Sequence, residues 1–364
     1  MNKNISMFSL EDILSKAIAG KTLSRSEILY LINLKKSHEI NSLYLAAREL
    51  RQKYFGNAVF LYGFMNLSTH CRNNCLFCLY RKENHSLKRY RKNEREIIDA
   101  AVALSTSGVN LLDLTTGEDP FFYSRTDGFE PLFQIVKEVK KNTGLPLMAS
   151  FGCLKESDLK TLLKAGADWY ACYQETHNVL LFNRLRAGQD YYKRLKLKYR
   201  AAGYGLLIEE GILTGVGELP DDLADSMAEM KKLAAQQVRV MNFIPQKGTP
   251  MQAFNIPHKQ DELIIIAVLR LLFPDRLIPA SLDVYGIDGL RNMLNAGANV
   301  ITSIILPQSN MAGVAQSSLD IQKGHRTVEA ITPILNELGL TKAATDDYIS
   351  WILSEKKSLQ KNLI

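Results

Sequence analysis

The sequence has few cysteines, no long apolar run and no apolar segment near its N-terminus. Five cysteines in 364 residues are too few and too unevenly spaced for a disulfide scaffold. The longest apolar stretch, Leu263 to Phe273, contains Arg270 and is well short of the roughly 20 residues that cross a bilayer. Glu11 and Asp12 stand where a signal peptide needs its apolar core. We therefore expect no membrane span, no export signal and a cytoplasmic protein.

Acidic residues are fewer than basic ones, and the net charge is +7. The basic residues are scattered except in the stretch from Arg81 to Arg95, where seven Lys and Arg stand against Glu83 and Glu94. Tyr90 is the one aromatic residue of that stretch, whereas nucleic-acid-binding surfaces interleave aromatic and basic side chains. We expect a solvated basic face and no nucleic-acid partner.

The remaining composition, 46% hydrophobic and 23% charged, is that of a globular chain and excludes a disordered one. Residues 1–57 are predicted to be helical, because Ser9 and Ser24 begin capping-box patterns ahead of apolar-periodic runs. We assign 1–57 to an N-terminal helical extension, 58–340 to the main domain and 341–364 to a C-terminal helix.

Eight short apolar runs alternate with amphipathic stretches in the main domain. The predicted strands are 58–66, 110–115, 146–150, 168–174, 206–211, 238–243, 277–282 and 299–304. The predicted helices are 94–107, 130–141, 157–164, 222–235, 261–271, 287–294, 328–338 and 346–355. Eight alternating βα units predict an α/β fold, a (β/α)8 TIM barrel, with the last helices capping it.

Polar side chains gather at the predicted C-terminal ends of the strands, where this fold carries its active sites. They are Asp113, Thr115, Ser150, Glu175, Glu209, Glu210, Ser281, Asp283 and Ser303. Strand alternation places Asp113 in the barrel lumen among leucines, and the same alternation places Ser281 and Asp283 on one face.

Three of the five cysteines, Cys71, Cys75 and Cys78, form a Cys-x3-Cys-x2-Cys motif in the loop after the first predicted strand. Three thiolates on one loop suit soft iron, and three ligands with no obvious fourth favour a 4Fe-4S cluster that has one open iron. Zinc is the competing occupant, but a structural zinc site takes four ligands, and His70 is too close to Cys71 to share one ion with it.

This motif, with Phe77 before the third cysteine, resembles the radical S-adenosylmethionine superfamily. The resemblance implies that the cofactor's methionine binds the open iron, and that reductive cleavage yields a 5′-deoxyadenosyl radical. Later segments, 173–176, 185–188 and Arg194, are similar to the biotin synthase and hydrogenase-maturation branch. The cofactor-binding residues implied by the resemblance are Phe77, Gly117, Glu118, Asp119, Ser150, Glu175, Arg186 and Arg194.

Further segments resemble the 3-methylornithine synthase family of pyrrolysine biosynthesis, which isomerises L-lysine to (3R)-3-methyl-D-ornithine. They are 113–120, 210–217, 238–241, 248–250, 276–283 and 286–289, and the similarity runs from about residue 44 to 307. The resemblance implies substrate contacts at Asp113, Arg239, Ser281 and Asp283. The charges agree, because lysine brings one carboxylate and two ammonium groups, and a buried site needs at least one cation and two carboxylates.

The alternatives are another radical reaction of the same branch, hydrogenase-cluster maturation or a biotin synthase-like reaction, and a zinc- or RNA-binding module built on the cysteine loop. We expect a small-molecule substrate, an electron donor such as flavodoxin or ferredoxin, and a monomer. Cys153 and Cys172 are interpreted as buried apolar residues. His177 either contacts the cofactor or caps a loop.

Overall fold

A computed structural model describes residues 9–125, 128–255, 262–315 and 318–361. Eight of its strands are parallel and neighbour one another in the order β6-β5-β4-β3-β2-β1-β8-β7. Their bounds are β1 Ala58–Ser68, β2 Leu111–Thr116, β3 Leu147–Ser150, β4 Trp169–Ala171, β5 Leu207–Thr214, β6 Gln237–Asn242, β7 Pro279–Ser281 and β8 Val300–Ile304.

The two outer strands of that order also meet. Gln237 forms a parallel bridge with Leu277, just before β7, and the amide of Val238 donates to the carbonyl of Leu277 at 3.0 Å. The sheet therefore closes on itself, and the predicted (β/α)8 barrel is confirmed. All eight predicted strands are present.

Helices connect the strands and flank the barrel. Their bounds are α1 Leu10–Ile18, α2 Arg25–Ile32, α3 Ser37–Phe55, α4 Glu94–Ser107, α5 Pro120–Tyr123, α6 Glu130–Thr143, α7 Glu156–Lys164, α8 Val179–Leu185, α9 Tyr191–Gly203, α10 Pro220–Lys232, α11 Glu262–Leu272, α12 Leu282–Asn295, α13 Ser318–Gln322, α14 Val328–Glu337 and α15 Thr345–Lys361, with a 3-10 turn at Pro307–Ser309. The pattern did not predict α8, in which Leu180 is exposed, or α9, in which Arg194 and Lys198 are buried. It also did not predict the short α5 and α13. The predicted helix 287–294 begins earlier, at Leu282, and is kinked at Gly286.

The N-terminal helices form the expected extension on the outside of the barrel. Ser24 makes a full capping box with Glu27, and Ser9 accepts from the amide of Asp12. Arg51 of α3 donates to the carbonyl of Leu294 at 2.5 Å and so ties the extension to α12. Residues 1–8 of the predicted extension lie outside the described part of the chain.

The C-terminal segment closes the end of the barrel at which the strands begin. A two-residue strand, β9 Thr341–Lys342, pairs with the start of β1, and α15 follows it. Tyr348 of α15 is fully buried against Phe60, and its hydroxyl lies 2.6 Å from that of Tyr62. Among the described residues, aromatic side chains thus fill the N-terminal end of the lumen and leave the C-terminal end of the strands open for a site. No helix in the described ranges is long and apolar enough to span a membrane.

Candidate functional site

A cavity of about 260 Å³ lies at the C-terminal ends of the barrel strands. Thirteen of the fifteen site residues that the sequence predicts line it. They are Cys71, Cys75, Phe77, Cys78, Asp113, Gly117, Glu118, Ser150, Glu175, Arg186, Arg194, Arg239 and Asp283. We call the part lined by the three cysteines, Glu175 and Arg186 the outer part, and the part lined by Asp113, Arg239 and Asp283 the inner part.

The cysteine loop follows β1 and packs closely on the loop after β2. A Cβ added at Gly117 would lie 2.3 Å from the carbonyl oxygen of His70 and 2.9 Å from the Cβ of Cys71. Only glycine allows this approach. Gly117 therefore sets the position of the first cysteine, in addition to lining the cavity.

The three thiols influence one another electrostatically. Burial raises the pKa of the Cys78 thiol, and the neighbouring Cys75 and Cys71 raise it further. Within the described residues, no group of three His, Cys, Asp or Glu side chains is arranged to hold a single metal ion. An iron-sulfur cluster does not need thiols that converge on one ion, because each iron takes its own thiolate, and three soft thiols on one loop fit such a group.

Glu175 and Arg186 form an ion pair beside the cysteines. Arg186 Nη2 lies 2.5 Å from Glu175 Oε1, and its Nη1 lies 3.6 Å from Cys75 Sγ, which also accepts from Gln189 Nε2 at 3.0 Å. Glu175 has a left-handed backbone (φ 68°), a conformation that costs free energy in a residue with a side chain. Pairing with β5 holds this conformation, since the amide of Glu175 donates to the carbonyl of Gly211 at 3.1 Å.

Glu118 sits between two guanidinium groups. Its Oε2 accepts from Arg72 Nε at 2.9 Å, its Oε1 lies 3.6 Å from Arg194 Nη1, and Oε1 also accepts from the amide of Cys153 at 2.9 Å. Although burial favours the neutral acid, these partners hold the pKa of Glu118 below its usual value. The outer part of the cavity therefore offers a second carboxylate and a second guanidinium.

Asp113 is buried in the lumen, as its position in β2 predicts. Its Oδ1 accepts from Ser150 Oγ at 2.8 Å and from Thr115 Oγ1 at 3.1 Å. Burial and the nearby Glu209 carboxylate raise the pKa of Asp113 to about 7. A cation placed beside it would favour the ionised form.

Arg239 lies across the lumen on β6 and already has hydrogen-bond partners. Its Nε donates to Glu209 Oε1 at 2.7 Å, and its Nη1 donates to Thr302 Oγ1 at 3.1 Å. Glu209 is fully buried and accepts from Tyr173 Oη at 2.6 Å and from Gln237 Nε2 at 2.5 Å. Glu209 thus fixes the orientation of Arg239 and keeps one edge of the guanidinium toward the cavity.

Asp283 is held in the same way by a buried cation. Its Oδ1 accepts from Arg326 Nη1 at 2.5 Å and from the amide of Val314 at 3.2 Å, and its Oδ2 accepts from Ser303 Oγ at 2.5 Å. Arg326 is fully buried and also pairs with Asp320 at 2.6 Å. A carboxylate offers about four acceptor positions, so one remains for a ligand.

Comparison with known proteins identifies the family. The chain is 40% identical over 348 residues to the 3-methylornithine synthase of Methanosarcina acetivorans, which covers 96% of this chain and 98% of that protein. The chain belongs to the 3-methylornithine synthase family. It is therefore a radical S-adenosylmethionine isomerase of pyrrolysine biosynthesis.

A solved structure and a more distant relative agree. The crystal structure of methylornithine synthase (PylB) superimposes with a TM-score of 0.89 at 39% identity and covers 93% of this chain and 99% of that one. The [FeFe] hydrogenase maturase subunit HydE of Thermotoga maritima is 32% identical over 277 residues, 74% of this chain and 78% of that protein. No protein-family model matches the chain.

Two residues that the family resemblance implied for the site do not line the cavity. Asp119 is fully buried, pairs with Arg91 at 2.7 Å and caps α5 through the amide of Phe121 at 2.9 Å. Ser281 caps α12, because β7 ends there and the helix begins at Leu282. Strand alternation therefore does not continue to residue 283, and the expected shared face of Ser281 and Asp283 does not exist.

The sequence missed the partners behind the cavity wall. The strand pattern marks Glu209 only as a polar strand residue, although alternation with Leu213, which lines the cavity, predicts that Glu209 points inward. It lies 30 residues before Arg239, and Arg326 lies 43 residues after Asp283. No local pattern could have connected Arg326 with the site.

The structure also shows where Cys153, Cys172 and His177 lie. Cys172 is buried in the main core as expected, whereas Cys153 is only half-buried and packs against the core from its edge. His177 does not line the cavity. Burial lowers the pKa of its imidazole to about 4, and its Nε2 lies 3.8 Å from Glu210 Oε2 on the outer side of β5.

Proposed function

We propose that this chain converts L-lysine to (3R)-3-methyl-D-ornithine, using S-adenosylmethionine on a 4Fe-4S cluster held by Cys71, Cys75 and Cys78. When bound, these groups supply one-electron chemistry that removes a hydrogen atom from an unactivated carbon. The donor set supports this reading, since three soft thiols share one loop at the cavity. A protein such as flavodoxin or ferredoxin would deliver the electron.

The outer part of the cavity suits the amino-acid portion of the cofactor. The pair Glu175 and Arg186, and the pair Glu118 and Arg194, each place a carboxylate beside a guanidinium at the cavity wall. An ammonium and a carboxylate entering together can exchange partners with such pairs without leaving a buried charge uncompensated. Phe77, whose ring lies 5.4 Å from the Arg186 guanidinium carbon, covers this pair.

The charge of the inner part carries the substrate proposal. Asp113, Arg239 and Asp283 face the cavity with a net charge of −1 when both acids are ionised. Behind them the buried Glu209 and Arg326 cancel each other, so the charge of the buried groups stays at −1, while Asp320, the other partner of Arg326, is partly exposed to solvent. Lysine brings +1, and its arrival neutralises the buried site.

These side chains bind and orient both ends of lysine. Arg239 can take the carboxylate through its cavity-facing edge, while Asp283 and Asp113 accept from the two ammonium groups by charge-assisted hydrogen bonds. Anchoring both ends keeps the two parts of a fragmented carbon skeleton in place until they rejoin. Aromatic packing below the site and the loops above it limit the access of water.

The test uses anaerobic protein reconstituted with iron and sulfide, reduced with dithionite and supplied with S-adenosylmethionine and ¹³C-labelled L-lysine. The expected product is a branched diamino acid with the mass of lysine, so NMR after chromatography must accompany mass spectrometry. L-ornithine, one methylene shorter, serves as the matched control and should give far less product because it cannot reach both anchors. Cofactor cleavage with no lysine-derived product would contradict the proposal and indicate another substrate.

A further inference from the structure

The loop from β1 to α4 carries a strongly basic surface. Between residues 70 and 90 it has five Lys and Arg and one acidic residue, Glu83. We call this surface the basic face and define it by Arg72, Arg81, Lys82, His85, Lys88 and Arg89. The side chains of Lys82 and His85 are 65% and 85% exposed.

Most of this charge is not compensated. In the described ranges, Arg81, Lys88 and Arg89 form no ion pair, and Lys82 reaches Glu83 only at 4.0 Å. Arg89 donates to backbone carbonyls of the same loop, including those of Tyr80 at 2.9 Å and Arg81 at 2.7 Å. The loop conformation is thus fixed by a guanidinium whose charge remains available to a partner.

The basic face leads to the cysteine motif. A second cavity, of about 360 Å³, opens on this surface and is lined by Lys82, His85, Arg89 and Cys71 among others. Cys71 also lines the outer part of the first cavity. It is the residue common to both linings, so this thiol stands between the basic face and the proposed cofactor.

We propose that the basic face docks an acidic one-electron carrier protein, which passes its electron inward through Cys71. The inference rests on the proposed function. In each transfer the carrier is oxidised by one electron, and the cluster held by the three thiolates is reduced by one. An acidic partner is required because like charges across the contact would repel it, whereas complementary charges speed its approach and set its orientation.

A nucleic acid fits this surface less well. Tyr90, the aromatic residue of the stretch, is already used inside the fold. Its hydroxyl donates to the carbonyl of Asn66 at 2.9 Å and accepts from the amide of Ala312 at 2.9 Å, while Lys92 lies over its ring. No exposed aromatic of the basic face is left to stack bases, which single-strand binding requires.

The test compares two variants with the same change of charge. The double variant Lys82→Glu/Lys88→Glu alters the basic face at side chains that make no contact with the cofactor site. The control Lys164→Glu/Lys231→Glu alters the last turns of α7 and α10, at the opposite end of the barrel. The affinity for flavodoxin is measured on the reconstituted proteins by titration at several salt concentrations, and turnover is measured with flavodoxin or with dithionite as reductant.

We expect the face variant to bind flavodoxin about tenfold more weakly at low salt, with a smaller salt dependence, and the control to match the parent. Turnover of the face variant should fall with flavodoxin and be unchanged with dithionite, which needs no docking. Equal affinities in the two variants would overturn the proposal. The proposal would also be overturned if a labelled single-stranded RNA bound the parent and lost affinity in the face variant while flavodoxin did not.

The two proposals can fail separately. If dithionite gives no product from lysine in the parent, the proposed reaction fails, but the flavodoxin affinities still decide the docking surface. If dithionite supports turnover and flavodoxin binds both variants alike, the reaction stands and the docking surface does not.

Discussion

The charges of the outer part of the cavity pair with one another at its wall, whereas Arg239 and Asp283 of the inner part each pair with a second buried charge behind the wall. Glu175 and Arg186 are eleven residues apart and contact each other across the outer cavity wall. In the inner part, Arg239 and Asp283 face the cavity and are each backed by a second buried charge, Glu209 or Arg326.

The difference suits two kinds of ligand binding. The carboxylate and the guanidinium of an outer ion pair satisfy each other. They can separate when a zwitterion binds between them, and they pair again when it leaves. An inner charge held from behind cannot turn away, so its orientation is fixed before the ligand binds. We infer that the inner part determines which substrate is used, and the outer part determines whether the radical chemistry occurs at all.

Removing a cysteine should break the outer part completely and leave the inner part intact. Cys75→Ala is expected to abolish cluster binding and turnover, since only two thiolates would remain. The barrel should keep its fold, because Cys75 lies on a loop outside the strands. Iron and sulfide analysis with far-UV circular dichroism checks both statements.

Cys153→Ala is the control, since it removes a half-buried thiol that packs against the core, lies outside the motif and does not line the cavity. It should retain the iron content of the parent. A full iron count in the Cys75 variant would contradict the ligand assignment.

Changing Asp283 should impair the inner part of the cavity and leave the outer part working. Asp283→Asn keeps the shape and the contact with Ser303 but removes the charge that binds an ammonium. We expect the cluster and cofactor cleavage to persist, while product per cofactor cleaved falls by about a hundredfold, the loss of a charge-assisted hydrogen bond of roughly 3 kcal/mol. Unchanged product yield, measured by chromatography against 5′-deoxyadenosine, would remove Asp283 from the site.

The same contrast explains what could be predicted from the sequence. The spacing of the cysteines is diagnostic, Glu175 and Arg186 lie in short segments whose family resemblance implied their role, and alternation along β2 predicts that Asp113 points inward. Glu209 contacts Arg239 because β5 and β6 lie side by side in the sheet, and Arg326 contacts Asp283 because the chain returns to the site after β8. Such long-range contacts leave no local pattern, and the position of Asp283 depended on where β7 ended.

Substitutions of Arg326 test whether the buried charges behind the cavity wall matter for substrate binding as well as for folding. Arg326→Met leaves Asp283 buried without its cation, which costs roughly 3 kcal/mol or more of stability. The remaining Asp283 should bind a proton more readily, so we expect the KM for lysine to rise about tenfold and to fall again at higher pH. Steady-state kinetics across pH, with thermal melting alongside, measure both effects.

Arg326→Lys is the matched variant, since it keeps the charge and loses the planar fork. It should recover most of the KM and little of the melting temperature. A Met variant that melts earlier yet keeps the parent KM at every pH would show that Arg326 only stabilises the fold.

The smallest expected effect is the pH dependence that Asp113 gives to lysine binding. Its pKa is raised to about 7 before lysine binds, and the ammonium binds the ionised form. The ionised fraction therefore grows about tenfold between pH 6 and 8, and the KM should fall by up to that factor as pH rises. Asp113→Asn should bind more weakly and lose this slope, and its KM is measured beside that of the parent at each pH, so that any change in electron delivery by dithionite affects both proteins alike. A slope that survives in the Asn variant would assign the titration to another group and make Asp113 a fixed charge, like Asp283.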